Sequence, residues 1–201
     1  MFDGIGRKAI DPFLERLGSA ISKKGVSANA VTIFGFVLGL FAAVAVWQSA
    51  YLSGAALILL SRLCDGLDGV VARAHRSSDF GGYLDIVLDF AFYGMIPFAF
   101  ALADPTANAV PAGALLLSFY INGASFLAYA ILAAKLGEES EARGKKSIFF
   151  TTGLAEASET LAVFLAACLW PQWFPTLAWL FAVICFYTAI SRIFLAQATF
   201  R

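Results

Sequence analysis

Apolar residues fill six long runs, near 30–49, 51–73, 81–103, 108–136, 148–170 and 172–197. Most are close to the roughly 20 residues a helix needs to cross a bilayer. The fourth is longer and extends toward water. Lipid offers backbone groups no partners, so each run predicts a helix that bonds its own N–H and C=O groups. The first 25 residues show another pattern. Ile5, Ile10, Phe13, Leu14, Leu17 and Ile21 recur at helical spacing among Arg7, Lys8, Glu15, Arg16, Lys23 and Lys24. That predicts an amphipathic helix lying on the membrane surface, with a solvated helix packed on protein as the alternative. Asp11-Pro12 offers a cap and a first-turn proline, which places the helix start there. Gly25 to Asn29 breaks the pattern, and Ser27 or Asn29 can cap the first apolar helix. The predicted fold is all-α and polytopic. An amphipathic interfacial helix at 1–25 precedes a six-transmembrane-helix domain at 26–201.

Composition strengthens the membrane assignment. Of 201 residues, 60% are hydrophobic, against about 45–50% apolar in soluble domains. The mean hydropathy is +0.79. The net charge of zero hides an uneven distribution. The connections at 49–51, 104–107 and 170–172 carry no Lys or Arg. The 14 basic residues fall at the N-terminus, around 74–80, in 135–147, or at the inner ends of helices. With alternating helices these all lie on one side. The positive-inside rule makes that side cytoplasmic, with both termini inside. Cys64, Cys168 and Cys185 lie in apolar runs without ligand spacing and read as small buried residues. The start of the chain shows no secretory leader pattern. No internal repeat or low-complexity tract stands out. Trp170-Pro171-Gln172-Trp173-Phe174 reads as an aromatic belt at the outer interface.

Four acids break the apolar pattern within the second and third runs. Asp65 and Asp68 are three apart, and Asp85 and Asp89 are four apart, so each pair occupies one helix face. Two such pairs on adjacent antiparallel helices could form one four-carboxylate cage open to the cytoplasm. Charges in lipid are costly, which marks the cluster as functional. Hard divalent cations such as Mg2+ or Mn2+ would neutralise it. Arg62, one turn before Asp65, could neutralise or orient that acid. The bland alternative is that the acids cap helices and pair with Arg62, Arg73 and Arg76. Asn122, Glu156, Glu159 and Arg192 also stand in apolar context, where each could join helices or serve a site.

The fixed positions are Asp65, Asp68, Gly69, Ala72, Arg73, Gly81, Asp85 and Asp89. Their order, D-x2-D-G-x2-A-R-x7-G-x3-D-x3-D, resembles the signature of the CDP-alcohol phosphatidyltransferase family, of the bacterial inner-membrane phospholipid synthase type. Ser27-Ala28-Asn29-Ala30-Val31-Thr32 also looks like that family's Thr-Pro-Asn-x-Leu-Thr, with Ala28 in place of proline. The resemblance implies transfer of a phosphatidyl group from CDP-diacylglycerol to a small polar alcohol, with release of CMP. Two divalent cations, Mg2+ or Mn2+, held by Asp65, Asp68, Asp85 and Asp89 would neutralise the pyrophosphate. Gly69, Ala72 and Gly81 would let the nucleotide approach the helix backbone. Arg73 would bind phosphate. Asp89 is implied as the base that takes the acceptor's proton. Direct displacement is expected, since no Ser, Cys or His nucleophile belongs to the motif. His75 reads as a surface residue. A homodimer in the bacterial inner membrane is implied, and no nucleic acid partner is expected.

The acceptor is less constrained. Arg143, Lys145, Lys146 and Arg192 could bind a phosphorylated acceptor such as glycerol 3-phosphate. Glu156 and Glu159 would repel phosphate and suit hydroxyls or an amine, which favours an unphosphorylated or amino-alcohol acceptor. A CDP-amino-alcohol donor acting on diacylglycerol is the alternative within the family. A divalent-cation transporter would explain the acids but not Gly69, Ala72, Arg73 and Gly81, and it would need a repeat or paired broken helices. A catalytically dead scaffold fits poorly with an intact acid set.

Overall fold

The computed structural model describes residues 3–75, 78–135 and 157–200. Among them the chain is helical: α1 (Asp3–Lys23), α2 (Ala28–Trp47), α3 (Tyr51–His75), α4 (Asp79–Ala103), α5 (Pro105–Lys135), α6 (Ala157–Leu169) and α7 (Phe174–Thr199). A single 3-10 turn, Pro171–Trp173, links the last two. No strand occurs among the described residues. The start of the fifth expected run, 148–156, lies outside them.

Four helical stretches are long and apolar enough to cross a membrane: Ala28–Trp47, Asp79–Ala103, Pro105–Lys135 and Pro171–Thr199. Helix α3 spans 25 residues, but Arg62, Asp65, Asp68 and Arg73 make its second half polar. Large apolar side chains face outward along the other helices. Phe34 and Phe41 of α2, Val110 of α5 and Val183 and Phe194 of α7 are exposed. An apolar exterior of this extent suits lipid rather than water.

The helix start expected at Asp11-Pro12 is corrected. Helix α1 begins at Asp3 and carries Pro12 in its interior. An internal proline removes one hydrogen bond to the carbonyl four residues back and crowds that turn. Pro12 is exposed, so the carbonyl it leaves can be solvated, and apolar spacing continues the helix on both sides. The apolar face of α1 packs on protein: Leu14, Leu17 and Ile21 lie against the buried Val31, Leu67 and Val71. A Cβ added at Gly18 would sit 2.6 Å from Val70 Cγ1, so the absent side chain lets α1 approach α3.

Helix α2 is the hub, packing on both α3 and α4, while α5 packs on α4 and α7. Its N-terminus is capped by Ser27, whose hydroxyl accepts from the Ala30 N–H at 3.2 Å. Glycines on α2 let its neighbours close in. A Cβ at Gly35 would lie 2.8 Å from Cys64 Cβ on α3, and one at Gly39 2.7 Å from the Phe92 ring on α4. The main core is aromatic. Phe92, Phe100, Phe164 and Phe174 are fully or almost fully buried, and Phe100 stacks on Phe174 at 4.3 Å between ring centroids.

Two expectations change here. Trp170 and Trp173 are exposed as a belt requires, but Phe174 turns inward to the core, because the 3-10 turn redirects the chain into α7. Cys168 and Cys185 are buried, whereas Cys64 is half-buried. It sits where α3 meets α2, beside the polar half of α3.

Candidate active site

The N-terminal end of α4 lies beside the C-terminal half of α3, so the two acid pairs meet. Ser78 caps α4, its hydroxyl accepting from the Gly81 N–H at 3.0 Å. This cap fixes where α4 begins, and hence the register of Asp85 and Asp89. Carboxylate oxygens of Asp65, Asp68 and Asp85 lie within 4.8 Å of one another. Two oxygens on opposite sides of a six-coordinate Mg2+ would be about 4.2 Å apart. An all-oxygen donor set at this spacing fits a hard divalent cation.

Asp89 lines the same cleft but makes a different contact. Arg62 Nη1 donates to Asp89 Oδ1 at 2.5 Å and lies 3.4 Å from Asp65 Oδ1. The Arg62 side chain is only 13% exposed. Its guanidinium carbon sits 3.9 Å from the centroid of the Phe92 ring, a cation–π arrangement. Arg62 therefore orients Asp89 as well as Asp65. The second contact spans 27 positions, and helical periodicity does not reach that far.

The cleft is lined by Thr32, Gly35 and Phe36 of α2, Ser61, Arg62, Asp65 and Asp68 of α3, and Asp85, Leu88 and Asp89 of α4. Thr32 is a site residue that the sequence pattern does not single out. Its hydroxyl donates to Asp68 Oδ2 at 2.6 Å, which pins that carboxylate from α2. The available signal is its place at the end of the Ser27–Thr32 stretch. Ser61, fully buried, is a second lining residue without a sequence signal.

The remaining expected residues are distributed more widely. A Cβ at Gly69 would meet only the Arg73 guanidinium, at 3.6 Å, so that face of α3 is open. Ala72 is half-buried and Arg73 exposed. Gly81 is closer to protein than to an open face, since a Cβ there would lie 3.0 Å from Asn29 Oδ1 and 3.1 Å from Ser78 Oγ. Glu159 and Arg192 do not line the cleft. Glu159 accepts from the Ser158 hydroxyl at 2.9 Å. Arg192 joins α7 to α5, donating to Asn122 O at 3.0 Å, Asn122 Oδ1 at 2.9 Å and Ser125 Oγ at 2.7 Å. Asn122 is thus the interhelical link that its apolar context suggested. Arg76, Arg143, Lys145, Lys146 and Glu156 lie outside the described residues.

Comparison with known proteins bears on this geometry. The family described as CDP-alcohol phosphatidyltransferase matches residues 26–190. The inner membrane protein YnjF of Escherichia coli is 40% identical over 192 residues, 96% of this chain and 93% of that one. The archaetidylinositol phosphate synthase of Pyrococcus horikoshii is 33% identical over 90 residues, 44% of this chain and 48% of that one. Among solved structures, the phosphatidylinositol phosphate synthase of Mycobacterium tuberculosis with manganese and citrate superposes with a TM-score of 0.65 at 21% identity. The alignment covers 90% of this chain and 87% of that one. The same enzyme with CDP-DAG bound gives 0.63 at 22% identity, covering 90% and 91%. At such identities the superposition speaks for the fold. The family match spans most of the chain and contains the whole Asp65–Asp89 motif, and the chain belongs to the CDP-alcohol phosphatidyltransferase family.

Proposed function

We propose that this chain transfers a phosphatidyl group from CDP-diacylglycerol to the hydroxyl of a small polar alcohol, releasing CMP. The observation that carries this reading is the convergence of Asp65, Asp68 and Asp85 within 4.8 Å, with Asp89 in the same cleft. The M. tuberculosis enzyme, crystallised with manganese or with CDP-DAG, supports it by fold. Two divalent cations, Mg2+ or Mn2+, held by Asp65, Asp68, Asp85 and Asp89 would neutralise the pyrophosphate and the charge on the attacking and leaving oxygens.

The chain's own residues do the rest. Thr32 and Arg62 hold Asp68 and Asp89 in fixed orientations. Gly69 and Ala72 leave α3 open to the nucleotide, and exposed Arg73 binds phosphate. Gly81 keeps the start of α4 close to Asn29. The acceptor oxygen attacks the phosphorus that bears the diacylglycerol, and the bond to CMP breaks. The acceptor proton passes to the Asp89 oxygen that Arg62 does not hold. No covalent enzyme intermediate is formed.

The assembly belongs to the same reading. Residues 1–25 are the juxtamembrane segment that carries α1, and 26–201 the six-span domain, counting α3 and the fifth run with the four membrane-length stretches. The cleft and both termini face the cytoplasm, and the protein is a homodimer of the bacterial inner membrane. For the acceptor, Arg192 directs Nη1 to Asn122 and Ser125, and among the described lining residues the only cation is Arg62. That favours an unphosphorylated or amino-alcohol acceptor. A phosphorylated acceptor is the second reading, favoured by the archaetidylinositol phosphate synthase relatives, with Arg143, Lys145 and Lys146 as candidate phosphate ligands.

The test is CMP release by purified protein in lipid with CDP-diacylglycerol and Mg2+ or Mn2+. Acceptors are supplied singly: glycerol, inositol, serine, choline, glycerol 3-phosphate and inositol phosphate. One acceptor should support release, and EDTA should abolish it. Asp89→Asn should lower the rate by about 10²–10⁴-fold, the usual contribution of a positioned base. Unchanged release in that variant removes Asp89 as the base. Cation flux without CMP release would replace the enzyme with a transporter.

A further inference from the structure

Arg62 gives the acid cluster a permanent cation of its own. Arginine stays protonated in proteins, and this one is held firmly. Its side chain is 13% exposed and contacts Asp89 at 2.5 Å and Asp65 at 3.4 Å. Nη2 lies 3.4 Å from Ser61 Oγ. The rings of Phe92 and Tyr93 flank the guanidinium carbon at 3.9 and 5.7 Å. Nε is buried with no hydrogen-bond partner, so the position is set by the carboxylates and rings rather than by a complete set of neutral acceptors.

The charge inventory then becomes unequal between two cations. Once bound cations have displaced any carboxyl protons, the four carboxylates and Arg62 carry a net charge of about −3, the ions themselves not counted. One divalent ion leaves about −1, and a second reverses the sign to about +1. Like charges in a partly desolvated cleft repel strongly. The pyrophosphate of a CDP-linked lipid brings the negative charge that a second ion needs. The cleft geometry matches this asymmetry. Asp65, Asp68 and Asp85 are already gathered, whereas the Asp89 oxygen is occupied by Arg62.

We propose that Arg62 is a positioning residue that makes the two cation positions unequal, so that the second ion binds together with the nucleotide pyrophosphate. The proposal rests on the reading that the Asp cluster binds divalent cations. Asp65, Asp68 and Asp85 take the first ion. Arg62 occupies the Asp89 side until the substrate's negative charge offsets the second.

The experiment counts bound Mn2+ by the electron paramagnetic resonance of free Mn2+, using the full chain in lipid nanodiscs, with and without CDP-diacylglycerol. The wild-type protein should bind one ion tightly without nucleotide and a second at least about tenfold more weakly. CDP-diacylglycerol should close that gap. Arg62→Gln should tighten the second step by about tenfold more than the first without nucleotide, equivalent to about 1.4 kcal/mol. Arg62→Lys retains the charge and should retain the wild-type gap. Two equal sites in nucleotide-free wild type would overturn the proposal, as would an unchanged gap in Arg62→Gln. Weakening of both steps in both variants would reduce Arg62 to a structural role and overturn it as well. Absence of bound Mn2+ in all three proteins would instead sink the metal reading on which it depends.

Discussion

Thr32 offers the sharpest test of how the acid cluster is held. Its hydroxyl lies 2.6 Å from Asp68 Oδ2 and 3.0 Å from the Ala28 carbonyl. One hydroxyl has one proton to donate, and an ionised carboxylate at the shorter distance is the stronger acceptor. Asp68 is 7% exposed, so water replaces a lost donor poorly. Thr32→Val keeps the shape and removes the donor. A hydrogen bond to a charged group contributes about 1.5–3 kcal/mol, which corresponds to about 10- to 150-fold in an equilibrium constant. Loss of residues that orient metal ligands typically costs about 10–100-fold in metal affinity or activity. The expected result is a half-saturating Mn2+ concentration for CMP release raised by about tenfold or more. The rate at saturating Mn2+ should change far less, because Thr32 orients a ligand and does not touch the reacting atoms. Thr32→Ser should restore most of the affinity. A Thr32→Val protein with half-saturation within about twofold of wild type would refute this role for the hydroxyl.

Two further perturbations test the packing that positions the cleft. Gly39→Ala places a Cβ 2.7 Å from the ring of fully buried Phe92, and the overpacking should destabilise the protein by about 1–3 kcal/mol. Thermal unfolding in detergent would show it, and an unchanged midpoint would mean that the ring has room to move. Asn122→Ala removes one side-chain acceptor from Arg192 while leaving the backbone carbonyl and Ser125. Interhelical hydrogen bonds in membranes contribute about 0.6–2 kcal/mol, so stability should fall by about that amount. CMP release at saturating substrate should persist, and its complete loss would move Asn122 and Arg192 from helix docking to the acceptor site.

The parts of the site legible in the sequence are those set by spacing along one helix. Asp65 and Asp68, like Asp85 and Asp89, share a face because of helical periodicity alone. The polar half of α3 is visible for the same reason. Capping is partly legible: Ser27 does cap α2. Pro12 misleads because a proline that commonly opens helices can also sit inside an exposed one at the loss of a single hydrogen bond. Gly81 reads as space for a nucleotide, but its immediate neighbours are Asn29 and Ser78. The absence of a side chain is visible in sequence, whereas what fills the space is not.

The sequence by itself determined the all-helical membrane character, the family signature and the four acids. These depend on hydropathy, period and residue identity, which are local along the chain. Only the tertiary structure decided which faces meet. Thr32 reaches Asp68 across 36 positions and Arg62 reaches Asp89 across 27. Both contacts depend on how closely α2, α3 and α4 pack, and that is set by Gly35, Gly39 and the buried Phe92 ring. Periodicity tells a helix which side to show. The partner on that side is chosen by interhelical packing, which has no signature in the spacing of residues along one helix.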